Sequence, residues 1–255
     1  MKGIFIGTGT SQGIPVIACK CEVCKSENSK DFRYRTSFFV KSEKTSIVID
    51  TGPDFRMQML NNKIEKLDGV VFTHEHKDHV AGLDDIRAYN YIQKKDMDVF
   101  ASEQVQIALH REFPYVFDEN KYPGVPRVKL HLINDERFSI GDICLTPINV
   151  SHYIMPVKAY RIGSLSYITD AKEISPSEMD KIRGSEVLIL NALRKTEHIS
   201  HFSLAQALEI IKEINPRKAY LTHISHLMGL HDEVSKELPS NVEIAYDGLE
   251  IEFSG

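Results

Sequence analysis

The sequence predicts an α/β protein in which two β-sheets lie against each other between outer helices. Strand-like runs recur along the whole chain, and several are apolar at every position, the pattern of strands covered on both faces. Between them stand segments whose apolar residues return every three or four positions, the period of a helix with one buried side. No internal repeat, low-complexity tract or linker interrupts the 255 residues, so a single domain over residues 1–255 is expected.

Taken in order, KGIFIG opens the strand series, and TSFFV, TSIVID and DGVVFT follow it. HVAGLDDIRAYNYI reads as a helix. ICLTPINV, VKAYRI and SLSYIT are the next strands. SPSEMDKIR reads as a helix whose start Ser175 caps, with Pro176 where a missing N–H does no harm. EVLILN returns to strand, SLAQALEIIKEI is a helix capped by Ser203, and KAYLTH and LEIEF complete the strands. A net charge of −5 gives no general attraction to DNA, RNA or anionic lipid. The apolar run in MKGIFIGTGT is broken by glycine and too short for a signal peptide, and no stretch approaches a membrane span. A cytoplasmic protein with no membrane partner is therefore expected.

Metal-capable residues stand where the strands end. VVFT runs into His74, INVS into His152, SYIT into Asp170 and AYLT into His223, while TSIVI runs into Asp50 and Gly52. Ligand sites gather at strand ends because loops converge there without disturbing the core. In HEHKDH, His74 and His76 are two apart in an extended loop and can chelate one ion. Asp78 and His79 fall on the following turn, offset enough to serve a second. Imidazole and carboxylate suit zinc, manganese or iron. Asp170 is a natural bridging carboxylate, and His152 and His223 can complete the shells. Any one of these histidines could be incidental; the set could not. Cys19, Cys21 and Cys24 form a second cluster, which in a reducing compartment reads as metal-binding before disulfide. Cys144 lies far away in an apparent strand and reads as core.

His74-x-His76-x-Asp78-His79, followed by His152, Asp170 and His223, resembles the metallo-β-lactamase superfamily, from GTGTSQGIP to YDGLEIEF. The resemblance implies an αββα sandwich holding two divalent ions, zinc or manganese. One would be bound by His74, His76 and His152 and the other by Asp78, His79 and His223, with Asp170 between them and Asp50 steadying the ligand loop. His79 is unlike the true β-lactamases, and His76 is unlike the flavodiiron proteins. The phosphodiesterase branch remains. Within it the cysteine cluster is similar to the cyclic-phosphate phosphodiesterases of the carbon–phosphorus lyase pathway, and to the pyrroloquinoline quinone biosynthesis B proteins. That similarity implies a structural zinc on Cys19, Cys21, Cys24 and His226, pinning a loop over about residues 11–35.

The same resemblance puts His201 where it meets the scissile phosphate and protonates the leaving oxygen, and counts Asp78 with it as catalytic. A helix cap is the plain alternative for His201, and His198 stays outside the set. Arg87, Tyr89 and Tyr91 would form a substrate wall, although an amphipathic helix packed on the core explains them equally well. The implied reaction is hydrolysis of a small, cyclic phosphodiester to a phosphomonoester by a hydroxide held between the two ions. The alternatives are a cofactor-biosynthesis protein and a nuclease of the tRNA three-prime-processing type. The acidic charge, and the want of a long arm to grip tRNA, speak against a long nucleic acid; a homodimer is allowed for.

Overall fold

The computed structural model describes residues 1–120 and 122–255. The first sheet contains β1 (Lys2–Gly7), β2 (Ser37–Lys41), β3 (Ser46–Ile49), β4 (Gly69–Val71), β5 (Met97–Ala101), β6 (Val128–Leu132) and the late strand β15 (Glu250–Glu252). The second contains β7 (Phe138–Ile140), β8 (Ile143–His152), β9 (Met155–Ile162), β10 (Leu165–Ile168), β11 (Glu173–Ile174), β12 (Val187–Asn191), β13 (Lys218–Thr222) and β14 (Val242–Ile244). Their orders are β15-β1-β2-β3-β4-β5-β6 and β11-β8-β9-β10-β12-β13-β14, with β7 paired to β8. Both sheets are mixed: β3 to β6 run parallel, as do β10, β12, β13 and β14. The helices are α1 (Phe55–Asn61), α2 (Lys77–Val80), α3 (Arg87–Gln93), α4 (Glu103–Glu112), α5 (Pro114–Phe117), α6 (Pro176–Ile182), α7 (Leu204–Ile214) and α8 (His231–Ser235).

Three apolar layers explain why the strands carry no polar face. Phe38, Ile47, Ile49, Val71, Tyr160, Tyr167 and Ile189 fill the space between the sheets. Their strand neighbours Phe39, Val48 and Val70 turn outward and meet Phe55, Met59 and Leu109 from the helices over the first sheet. Leu188, Leu190 and Leu221 meet Met179, Ala207 and Ile211 over the second. Side chains alternate across a strand, so a run apolar at every position is what a sheet buried on both faces requires. The result is the α/β sandwich that the sequence predicts.

The caps also form as expected. Ser175 accepts from the Glu178 N–H, and Ser203 forms a reciprocal capping box with Gln206. The predicted helix over HVAGLDDIRAYNYI is instead broken into α2, a 3₁₀ turn at Leu83–Ile86, and α3. The cause is Gly82. A Cβ there would collide with the Gly52 carbonyl oxygen, so this turn packs backbone against backbone on the segment after β3. The half-exposed β5 and β6, and helices α1 and α4, lay outside the sequence reading; β6 in particular has no clean alternation. Cys144 is corrected too. It is only partly buried, on β8, with its thiol toward the Phe138 carbonyl at 3.5 Å.

Candidate metal centre

The parallel strands β3, β4, β10 and β13, together with β8, release their chains at one edge of the sandwich. Three of the released residues have left-handed backbone: Asp50 at φ 65°, Asp170 at φ 55° and His223 at φ 57°. Such a conformation is uncommon for residues with a side chain, and it persists only where the surroundings impose it. Here it turns each chain sharply as it leaves the sheet, and the three side chains converge.

Asp50 organises the ligand loop. Its carboxylate accepts from the Thr73 N–H at 2.8 Å, the Thr73 hydroxyl at 2.8 Å and His79 Nδ1 at 2.7 Å. With Nδ1 engaged, His79 turns Nε2 toward Asp78 Oδ2 at 3.2 Å and Asp170 Oδ2 at 3.3 Å. Asp170 also lies 3.2 Å from His223 Nδ1 and 3.8 Å from His201 Nδ1. His152 gives Nδ1–H to the Ser200 carbonyl at 2.8 Å, which frees Nε2. His74 Nε2 and His76 Nδ1 come within 3.1 Å of each other. Two imidazoles on one tetrahedral zinc would place their nitrogens about 3.3 Å apart. Histidine ligands whose other nitrogen is held by a carboxylate or carbonyl are the usual way such rings are aimed.

The buried polar atoms show what this cluster lacks. His79 Nε2, His201 Nδ1 and His223 Nδ1 are buried with no hydrogen-bond partner, yet all face the Asp170 carboxylate. Unpaired buried polar atoms are costly, and three around one carboxylate indicate a missing partner. The charges agree. Burial opposes charge on His74 and lowers its pKa well below the usual range, as does the neighbouring His79. His79 is raised: burial works against its cation, but Asp78, Asp170 and Asp50 outweigh it. Three carboxylates around one ring demand positive charge, and divalent ions fit that demand. Burial, followed by the nearby His223, pushes His201 down to about 2, so its resting imidazole is neutral.

The second cluster lies one turn of chain beyond His223. The sulfurs of Cys19, Cys21 and Cys24 stand 3.3, 3.4 and 3.6 Å from His226 Nδ1. A tetrahedral zinc with sulfur and nitrogen ligands would place them about 3.5 Å apart. The Cys24 N–H donates to the Cys21 sulfur, and this contact is the main cause that lowers Cys21 to about 6. Cys21→Ser should therefore lose one tightly held metal ion per chain and lower the melting temperature, because metal binding at such a closed site is also folding free energy. Metal content by mass spectrometry and a thermal melt test this together. Unchanged values for both would remove the metal from this site.

Several residues beyond the sequence reading support the centre. Thr73 joins Asp50 to His74, whose Nδ1 is 3.0 Å from its hydroxyl, and Thr10 lies 3.2 Å from His223 Nε2. A threonine just before His74, and another in GTGT, were the available signals. Gly52 admits the ligand loop: a Cβ there would meet the Asp78 carbonyl oxygen. Gly52→Ala should thus reduce metal held by the histidine cluster and leave the cysteine zinc in place, a difference that metal analysis resolves. Equal occupancy in variant and wild type would show that the loop tolerates the displacement.

The substrate wall is corrected in part. Tyr89 is buried in the core over the first sheet and its hydroxyl donates to the Ile64 carbonyl at 2.7 Å, so it faces away from any substrate. Arg87 stands 3.4 Å from Asp84 on its own turn. Tyr91 is exposed, with its hydroxyl beside Gly124. Among the described residues, no helix is long and apolar enough to cross a membrane.

With this geometry in place, the comparisons assign the class. The beta-lactamase superfamily domain matches residues 45–224, and the chain belongs to that superfamily. A diphosphatase of the PhnP family has a solved structure that superposes with a TM-score of 0.93 at 34% identity, over 99% of this chain and 98% of that one. The chain belongs to the PhnP family. The zinc-bound PqqB of Methylobacterium extorquens shares the fold at a TM-score of 0.77 and 16% identity, over 99% of this chain and all of that one. An octanoyltransferase of Porphyromonas gingivalis is 38% identical over 98% of this chain. The chain spans about half (51%) of that relative's length.

Proposed function

We propose that this chain is a metal-dependent hydrolase of a small phosphodiester. The observation that supports it is the set of unpartnered buried nitrogens on His79, His201 and His223 gathered around Asp170. On this reading His74, His76 and His152 hold one divalent ion, Asp78, His79 and His223 hold the other, and Asp170 reaches both. Two such ions, when bound, neutralise charge on phosphoryl oxygens and bring the pKa of a water toward 7.

The chain's own residues do the rest. Asp50 fixes the His79 ring and the Ser200 carbonyl fixes His152, so the imidazoles are aimed before substrate arrives. His201, in ring contact with His152 and His223 at 4.4 and 4.8 Å between centroids, faces the same space. From there it is placed to meet the leaving oxygen of a bound ester. His201 then donates a proton to that oxygen. A tRNA-sized substrate fits poorly with the chain's net charge of −5. The octanoyltransferase is a protein about twice as long as this chain, so its activity is not carried over.

The test pairs metal analysis of the purified protein with turnover of cyclic phosphates, linear phosphodiesters and diphosphates. About two exchangeable ions per chain besides the cysteine zinc, and hydrolysis of at least one such ester, are expected. A fully metallated protein that hydrolyses none of them, yet acts on a quinone precursor, would overturn the reading.

A further inference from the structure

Beside the histidine cluster lies an open depression of about 530 Å³, lined by Lys172, Arg194, Glu197, His198 and Ile199. Two segments meet there, the turn at Lys172 and the loop between β12 and α7. Lys172 is two residues past Asp170 and its N–H is tied to the Ser151 carbonyl at 2.7 Å. Arg194 follows β12, and His198 sits with its ring 5.3 Å from that of His201. Neither cation is paired with a carboxylate among the described residues. Lys172 Nζ donates to Gln206 Oε1 at 3.0 Å, and the Arg194 guanidinium donates to the carbonyls of Thr196 and Glu197 at 3.3 and 2.7 Å. His198 Nδ1 accepts from the Ser200 N–H at 3.3 Å, so its proton stands on Nε2, a further donor. The Glu197 carboxylate shares the rim but pairs with neither cation. In an acidic protein, two unpaired cations and a fixed donor next to a phosphoryl-binding centre form an anion site.

We infer that Lys172, Arg194 and His198 bind a second phosphate of the substrate, one joined to the phosphate that is hydrolysed. This rests on the hydrolase reading and narrows it to substrates with two linked phosphates. Water adds to the phosphorus held at the histidine cluster, and the bridging P–O bond breaks. The bridging oxygen leaves with the second phosphate and takes up a proton. The exposed Ile199 offers an apolar surface to whatever organic group that phosphate carries.

The test compares binding of methylenediphosphonate and methylphosphonate to the metal-loaded protein by calorimetry. Wild type should prefer the diphosphonate by about tenfold or more, the effect of one or two charge-assisted contacts. Lys172→Met with Arg194→Gln should abolish that preference and leave methylphosphonate affinity unchanged. Because Arg194 also holds its own loop, Glu197→Gln provides a second arm: removing the rim carboxylate should increase the preference. No preference in wild type, or one unaffected by both variants, would overturn the subsite. A protein that hydrolyses no phosphodiester but keeps this charge-dependent preference defeats the hydrolase reading alone. Hydrolysis without the preference defeats the subsite alone.

Discussion

Asp170→Ala should leave the histidine cluster holding fewer than two ions and lower turnover of a phosphodiester on the order of 10³-fold. Among the described residues, Asp170 is the one carboxylate within 3.8 Å of His79, His201 and His223 together, so its loss unbalances those three rings. Asp170→Asn preserves shape and left-handed tolerance but removes the charge, and should fall between alanine and wild type in metal content. The measurements are ions per chain by mass spectrometry and kcat on the best ester found. Unchanged hydrolysis with one ion per chain would rule out a two-ion centre. Metal at the cysteine cluster should survive either change, which separates damage to the centre from general unfolding.

The second large effect concerns His201. A sugar alkoxide leaves poorly without a proton, whereas a nitrophenolate departs unaided. His201→Ala should therefore cost about 10²–10⁴-fold on a ribose-type cyclic phosphate and much less on a nitrophenyl phosphodiester, with metal content intact. Equal losses on both would assign His201 to holding phosphate or metal instead. The structure makes that contrast worth measuring, because His201 is as close to His152 and Asp170 as the expected ligands are.

Part of the candidate site stands out in the sequence because some of its residues lie at or just past the end of an apolar strand. His74, His152, Asp170 and His223 are polar residues placed where a buried run stops, and that boundary is visible in one dimension. The pairing of Cys19, Cys21 and Cys24 with His226 is not, and came from resemblance to a family. Other features depend on close backbone approach or on distant segments meeting. Gly82 interrupts a good helical pattern because of Gly52, thirty residues earlier. For Tyr89 the resemblance offers a substrate wall and helix packing on the core explains it equally well; local sequence does not choose between them, and the structure has the packed form. Lys172 and the loop that carries Arg194 and His198 come from two separate segments, and nothing in their local sequence marks them as neighbours. Strand β6 is half exposed, so its pattern carries little signal.

The N-terminal loop and the end of β13 are sewn to each other. Gly9 bridges to Ile224, the Thr10 N–H donates to the Ile224 carbonyl and the Ile224 N–H to the Thr8 carbonyl. His223 and His226 flank this stitch, one facing each metal cluster. Cys19 and His226 are 207 residues apart, so during synthesis the three thiols emerge long before the histidine that completes their site. Until His226 has emerged, the three thiols lack the fourth ligand of their cluster. Closing so long a separation is entropically slow. Both clusters can therefore be completed only after the chain past β13 has left the ribosome. If both clusters hold ions, metal supply at that late moment would act alongside intrinsic affinity in setting which ions they take.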